Sequence, residues 1–129
     1  MTYSTSNNRY TASNVSSVRL SDMTRDASYQ YTQNIAHTEV NSITIYLTYS
    51  SSNKSATLTC QIASTQSGFT TGTTSFTINT SQSNTSTNST INLSTPIQIG
   101  SSYTISCPSY SGDNNGKVKI NSFGFLINP

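Results

Sequence analysis

The residues that could do chemistry are few in this chain. There are four carboxylates, at Asp22, Asp26, Glu39 and Asp113, and one histidine, His37. His37 and Glu39 are two residues apart and would share one face of a strand, so they could act as a general base and its orienting group. An exposed polar pair near the start of a strand is the simpler interpretation.

No other catalytic arrangement follows from these residues. A glycosidase needs two opposed carboxyl groups, but Asp22 and Asp26 lie in one short segment. Serine is abundant, yet the chain has no G-x-S-x-G stretch, which would mark a nucleophile elbow. We therefore predict that the chain is not an enzyme and uses no cofactor, with a small hydrolase as the weakest alternative.

The segment SGDNNGK, residues 111–117, has part of the residue order of a calcium loop, with Asp113, Asn115 and Gly116 in suggestive positions. Calcium loops usually need several carboxylates, and this segment has only one. Asn-Gly between two alternating segments is a strong signal for a β-hairpin. We predict a hairpin and no metal site, with a calcium site as the alternative.

Cys60 and Cys107 are the two cysteines of the chain. They lie in the stretches SATLTCQIAS (55–64) and SYTISC (102–107), where each cysteine shares the inward face of its strand with Leu58 or Ile105. We predict a disulfide with Cα atoms about 4.4–6.8 Å apart, which implies oxidising surroundings. Two buried free thiols, acting as small hydrophobic residues, are the alternative.

Four tyrosines are candidates for binding. Tyr46 faces away from the apolar side of its strand, and Tyr29, Tyr31 and Tyr110 are expected at the surface too. Aromatic rings stack on sugars, and tyrosine adds a hydroxyl group. Packing against a neighbouring subunit explains exposed tyrosines equally well. We predict these four residues as contacts for a ligand or a subunit.

The composition indicates one folded domain that faces water. Of 129 residues, 26 are Ser and 22 are Thr, whereas charged residues make up 8%. Eight Tyr, four Phe and regularly spaced β-branched residues argue against disorder. The six N-x-[ST] sequons carry little weight, because about five would arise by chance from this composition.

Strand patterns recur at short spacing, with no helical period. Pro96 suggests an edge strand or a bend, and the change of parity across residues 121–122 implies a bulge. The low-complexity segment 80–89 is expected to be an exposed loop. Ile97 and Ile99 are expected to point inward, as are the predicted core residues: Ile43, Ile45, Leu47, Leu58, Ile62, Phe76, Ile78, Ile91, Leu93, Tyr103, Ile105, Val118, Ile120, Phe123 and Phe125.

These patterns predict an all-β fold: a two-sheet antiparallel β-sandwich of jelly-roll type, with about seven to nine short strands and less than about a tenth of its residues helical. Residues 1–39 form an N-terminal arm and edge strands, in which segments 15–20 and 28–35 could each be a strand. Residues 40–129 form the sandwich body. The whole chain is one domain.

Charge and hydropathy exclude two classes of partner. The six basic residues are spread along the chain and the net charge is +2, so we predict no binding to nucleic acid. The longest apolar run, FGFLI, is far too short to span a membrane. The first ten residues have no apolar core and are not a signal peptide. Either a leader has been removed, or the protein leaves its cell without the secretory route, as a virus released by lysis does.

The stretches NSITIYLTYS, QIASTQSGFTTGTTSFTI, INLSTPIQIGSSYTISC and GKVKINSFGF resemble a loose family of jelly-roll sandwich modules. This family is similar to carbohydrate-binding domains and occurs on viral and bacterial surface proteins. The resemblance covers residues 40–127 and rests on the strand rhythm, a turn with Gly68 and Gly72, and a GSSYTI strand entry. It implies a jelly-roll fold and assigns no ligand-contacting residue.

Our leading hypothesis is a non-enzymatic structural or adhesive subunit on a virion, as a capsid-associated or fibre protein, or on an extracellular filament. The N-terminal MTYSTSNNRY has too few apolar groups to hold itself down, so we expect it at a contact with copies of the chain or other surface subunits. The alternative is a carbohydrate-binding module of a larger secreted protein, with glycans as partners. Either hypothesis places the protein outside the cell or on a virion surface.

Overall fold

The long central strands of this protein form where apolar residues alternate with polar, mostly hydroxyl-bearing ones, because one face of each strand is then buried while the other stays in water. The computed structural model describes residues 2–4, 9–12, 15, 17–35, 39–66, 72–113 and 115–129, and gives the backbone alone for residues 2–4 and 9–12. Its strands are β1 (Thr2–Ser4), β2 (Arg9–Ala12), β3 (Val18–Arg19), β4 (Tyr31–Asn34), β5 (Val40–Ser51), β6 (Ala56–Ser64), β7 (Gly72–Ile78), β8 (Thr85–Ile97), β9 (Ser102–Ser111) and β10 (Val118–Asn128).

Two antiparallel sheets make up the sandwich. Sheet A has the order β1-β2-β10-β5-β8, with β3 also paired to β10, and sheet B has the order β4-β9-β6-β7. The pairs are nested along the chain: β3 with β10, β4 with β9, β5 with β8, and β6 with β7. This is the topology of a jelly roll. The predicted all-β two-sheet sandwich is confirmed. Strands β3–β10 give eight strands, and β1 and β2 add a hairpin at the edge of sheet A.

The connections between strands collect at two ends of the sandwich. We call one the Lys117 end, where the β5–β6, β7–β8 and β9–β10 connections meet. Hydrogen bonds link them there: the Ser52 N–H donates to the Lys117 carbonyl at 3.1 Å, and the Ser81 hydroxyl donates to Asn53. The β6–β7 and β8–β9 connections lie at the opposite end, which we call the Ile99 end.

The core lies between the inner faces of the two sheets. All the predicted core residues are buried except Leu93, which is partly buried against the others. Aromatic rings link the sheets: Tyr31 stacks on Phe123 with ring centroids 5.3 Å apart, and Tyr103 meets Phe125 edge-on at 6.0 Å. Ile97 is fully buried, as expected, but Ile99 is 58% exposed. The expectation for Ile99 is wrong because β8 ends at Ile97 and residues 99–100 form a turn.

The segment before residue 35 departs from the predicted strands. Among the described residues of segments 15–20 and 28–35, strand is found only at Val18–Arg19 and Tyr31–Asn34. Between them lie helix α1 (Leu20–Arg25), whose Leu20 and Met23 are buried, and a three-residue 3-10 helix. A helix of six residues is too short for a helical period to show in the sequence.

Three local expectations concern β8 and β10. The bulge predicted across residues 121–122 is confirmed, because the register of β10 against β5 shifts between Ile120 and Ser122. Pro96 lies in β8, which is an edge strand of sheet A as expected. The loop predicted for residues 80–89 is wrong in its second half, since β8 begins at Thr85. The residues of segment 80–89 are polar, so the sequence shows no contrast between two faces that would indicate a strand.

Candidate functional site

The cysteines form a disulfide, as predicted, between strands β6 and β9 of the same sheet. Their Cα atoms are 3.8 Å apart, which is closer than the predicted range. The bond sits where the register between the two strands shifts, after Thr59. Cys60 is fully buried and Cys107 is 3% exposed, so the disulfide is a structural cross-link inside the core rather than a reactive group at the surface.

Asp113 closes the β9–β10 connection. One carboxylate oxygen accepts the Lys117 N–H at 3.0 Å and the other accepts the Val118 N–H at 3.1 Å, and the residue is 3% exposed. Its oxygens are therefore committed to the backbone of its own loop and do not form a calcium ligand set. In the described part of the chain, no group of three or more His, Cys, Asp and Glu side chains could hold a metal ion.

The predicted hairpin at residues 111–117 is wrong. Strand β9 pairs with β4 and β6 in sheet B, whereas β10 pairs with β2, β3 and β5 in sheet A. The Asn-Gly pair instead serves a turn that carries the chain from one sheet to the other, with Gly116 at φ 66°. Local turn chemistry signals a tight reversal, but it does not specify whether the two strands then pair.

The four candidate tyrosines do not form a common platform. Tyr31 is buried, at 6% exposure, so the expectation that it lies at the surface is wrong. Burial, with a smaller contribution from Tyr29, raises the pKa of Tyr31 to about 12. Tyr29 and Tyr110 are partly buried against the core. Tyr46 is half-buried on the outer face of β5, opposite Gly124 of β10.

The remaining acidic residues do not converge on a site. Asp22 lies 4.0 Å from Arg25 on the exposed side of α1. Asp26 accepts the Ser28 N–H at 2.9 Å, and this bond lowers the pKa of the Asp26 carboxyl. Glu39 is exposed before the start of β5. His37 lies outside the described residues, so the proposed His37–Glu39 pair stays a prediction.

The outer face of sheet B is an uncharged, hydroxyl-rich surface. Neighbouring strands pair their hydroxyls across it: Thr32 with Thr104 at 2.9 Å, and Thr59 with Ser75 at 3.3 Å. None of the outward side chains on the described strands of this sheet is charged. By register they are Thr32, Asn34, Thr57, Thr59, Gln61, Ala63, Thr73, Ser75, Thr77, Ser102, Thr104, Ser106, Ser109 and Ser111.

The outer face of sheet A is similar along most of its length but ends in cations. Arg19 of β3 and Lys119 of β10 are directly opposite each other, and Ser50 of β5 is the next residue in this row. Sequence reasoning missed this grouping, because the two cations are 100 positions apart. Only the pairing of β3 with β10, which periodicity does not specify, brings them together.

No helix among the described residues is long and apolar enough to cross a membrane. No protein-family model, curated protein or solved structure matches this chain. The jelly-roll fold and the chemistry of the two outer faces are the features of the molecule that bear on its function.

Proposed function

We propose that the chain is a non-enzymatic structural or adhesive subunit that packs against copies of itself or other subunits on the outside of a virion or an extracellular fibre. The observation that carries the proposal is the outer face of sheet B, whose outward side chains are uncharged and mostly hydroxyl-bearing. Interface centres are depleted of charged residues, because a buried charge must be desolvated. The jelly-roll fold is also one that capsid subunits use.

The hydroxyl pairs on this face support the same conclusion. A hydroxyl that loses water on association costs free energy unless it keeps a hydrogen bond. Thr32 with Thr104, and Thr59 with Ser75, already share one hydrogen bond across the strands, so in each pair one hydroxyl donates to the other. A second surface that covers this face therefore needs to supply only one acceptor to each pair. The disulfide fits an oxidising, extracellular setting.

The edges of the sandwich differ in how open they are. Strands β7 and β8 are held together across the two sheets: the Thr74 and Ser89 hydroxyls bond, and a Cβ on Gly72 would lie 2.4 Å from Ile91 Cγ2. The opposite edge of sheet A carries the β1–β2 hairpin. We propose that lateral contacts between subunits involve this hairpin as well as the face of sheet B.

Size-exclusion chromatography with light scattering tests the proposal. We expect the wild type to form oligomers, and we expect Thr59→Lys, at the middle of the face, to shift them towards monomer. Ser83→Lys adds the same charge in the exposed β7–β8 connection and serves as the matched control. Deletion of residues 2–12 should also weaken assembly. A strict monomer that binds neutral glycans would favour the alternative, a carbohydrate-binding module of a larger secreted protein.

A further inference from the structure

Three cations meet at the Lys117 end of sheet A. Arg19 and Lys119 are opposed residues of an antiparallel pair, so their side chains leave the same face of the sheet from neighbouring strands. Lys117 precedes Lys119 by two residues, and both lysines are exposed while Val118 between them is buried, so both side chains point away from the core. All three side chains are exposed. We call Arg19, Lys117 and Lys119 the cationic row.

The Arg19 side chain packs over the β9–β10 connection. Its Cδ lies 3.3 Å from the position that a Cβ on Gly116 would occupy. Its Nε and Cζ lie 3.6 and 3.9 Å from the same position, so the guanidinium group lies over Gly116, the residue before Lys117. Like charges on opposed residues of a sheet are destabilising by themselves, and an anion bound between them would relieve the repulsion.

The carboxylates of the chain do not neutralise the cationic row. Asp113 is buried and accepts backbone N–H groups, Asp22 faces Arg25, and Asp26 accepts from Ser28. Glu39 is at the far end of β5, about 40 Å along the strand from its last residue. Arg25 and Asp22 form an ion pair of their own on the exposed side of α1.

Polar groups suited to sugars lie beside the cationic row. Ser50, the neighbour of Lys119, accepts from the Asn121 amide at 2.8 Å and from the Asn84 N–H at 3.0 Å. Asn121 also donates to the Asn84 side chain at 3.1 Å. Hydroxyl-bearing residues continue from there along the outer face to Tyr46, whose Cα lies about 13 Å along β5 from the Cα of Ser50. Hydroxyls, amides and one aromatic ring match the hydroxyls and flat faces of sugar rings.

We propose that the cationic row binds an anionic polysaccharide, a sugar polymer with carboxylate or sulfate groups, which then follows the outer face of sheet A towards Tyr46. The cations hold the acidic groups, while the Ser50, Asn84 and Asn121 cluster contacts neighbouring hydroxyls. Duplex nucleic acid fits this surface less well, since it needs a longer track of cations, and single strands need several stacking aromatic side chains. The proposal does not depend on self-association of the chain.

Binding to immobilised heparin and alginate tests the proposal, with neutral dextran and duplex DNA as comparisons, between about 50 and 200 mM salt. We expect Arg19→Gln/Lys117→Gln/Lys119→Gln to weaken binding at least about tenfold and to lower the salt slope by about two to three. Arg25→Gln removes one cation outside the cationic row, and Lys119→Gln removes one within it. The two single variants therefore have the same net charge, and Arg25→Gln serves as the matched control. Tyr46→Ala should weaken binding without changing the salt slope.

Several outcomes would overturn the proposal. These are no binding to either acidic polysaccharide at low salt, equal losses for Arg25→Gln and Lys119→Gln, or tighter binding to DNA than to heparin. Because the four substituted cations, Arg19, Arg25, Lys117 and Lys119, are exposed, we expect their variants to keep the thermal midpoint of the wild type. Lys119→Gln alone serves if the triple variant does not fold. Self-association is measured separately, by size-exclusion chromatography with light scattering. Polysaccharide binding and subunit assembly can therefore fail independently of each other.

Discussion

The titration of the Tyr31 phenol links this one residue to the stability of the whole protein. The residue is 6% exposed and its pKa is raised to about 12 by burial, from an ordinary value of 10.0. The folded state therefore keeps the phenolic proton to higher pH than the unfolded state does. Its contribution to stability is present in full below about pH 10 and is lost as the pH rises towards 12, and solvent screening of the partly buried phenol keeps the loss well below about 3 kcal/mol.

Replacing Tyr31 with Phe should reduce this pH dependence. We expect the free energy of unfolding, measured in urea, to fall less steeply between about pH 9 and 11.5 in Tyr31→Phe than in the wild type. Tyr46→Phe removes a phenol from the outer face and controls for the general effect of losing one. Equal pH slopes for the wild type and Tyr31→Phe would show that this hydroxyl does not titrate in a buried site.

Asp113 stabilises the β9–β10 connection through two backbone hydrogen bonds. Asp113→Ala should lower the free energy of unfolding by about 2–4 kcal/mol, because it leaves the buried N–H of Val118 and the N–H of Lys117 unpaired. Asp113→Asn should cost less, since the amide keeps one acceptor oxygen. Asp22→Ala, at an exposed ion pair, should change stability by less than about 1 kcal/mol. Added calcium should leave the thermal midpoint unchanged; a rise that Asp113→Ala abolishes would restore the calcium site.

The inward or outward direction of a side chain was predictable where the residue lies in a long alternating run. Tyr46 lies within a strand of 12 residues, and its outward direction follows from the parity of Ile43, Ile45 and Leu47. Tyr31 lies in a strand of four residues, where parity gives no reliable direction. The inward position of Cys60 and Cys107 followed from parity too. The distance between their Cα atoms depends on a register shift between β6 and β9, which the sequence does not reveal.

At the scale of strands, β7 and β8 are packed too closely for a side chain at Gly72. A Cβ there would lie 2.4 Å from Ile91 Cγ2 and 3.4 Å from Ile62 Cγ2. Because β7 ends sheet B and β8 ends sheet A, this close approach closes one side of the sandwich. Glycine is needed here for space, since its φ is not in the left-handed region.

We expect Gly72→Ala to destabilise the protein by about 1–3 kcal/mol, through overpacking against β8. Ile91→Ala removes the methyl group that the new Cβ would meet, at the cost of a cavity. The double variant should therefore lose less stability than the sum of the two single variants, as measured by chemical denaturation. Additive losses would mean that the clash is relieved elsewhere, and that β7 and β8 do not interlock at this point.

A strand was predictable from the sequence where one of its faces is apolar and the other is polar. The long runs in β5, β6 and β10 alternate apolar and polar residues, and even the bulge in β10 appeared as a change of parity. The start of β8 did not, because TSTNS is polar on both faces of an edge strand. Helix α1 was missed for a different reason: its two buried residues, Leu20 and Met23, occupy less than two turns.

For the whole molecule, periodicity indicates that strands exist but not which of them pair. The Asn-Gly turn favoured a hairpin, yet the chain crosses between sheets there, because β10 is already flanked by β5 and by β2 and β3. The pairing of β3 with β10 brings Arg19 close to Lys117 and Lys119, and the strand order of sheet B determines which side chains share its outer face. Both the proposed anion site and the uncharged face therefore depend on topology. The jelly-roll type was expected from the rhythm of the strands and a resemblance, and the nested pairs establish it.

Nested pairing also makes most contacts of this fold distant in sequence, which favours slow folding. Strands β6 and β9 are the inner pair of sheet B, and the disulfide joins them across 47 residues. In the unfolded oxidised chain this loop is already closed, so part of the entropy needed to bring β6 and β9 together is removed in advance. Chain entropy assigns the bond about 4 kcal/mol of stability.

The effect of removing the bond should therefore appear mainly in the rate of folding. For Cys60→Ala/Cys107→Ala we expect a loss of stability of up to about 4 kcal/mol, with most of it in slower refolding, because β6 and β9 must then find each other before β4, β5 and β10 can complete the sheets. Stopped-flow folding and unfolding rates measured against urea separate the two contributions. Reduced wild-type protein is the control, since it lacks the bond but keeps both sulfur atoms and creates no cavity. If the loss lay entirely in faster unfolding, β6 and β9 would pair after the rate-limiting step, and the closed loop would stabilise the native sandwich without guiding its formation.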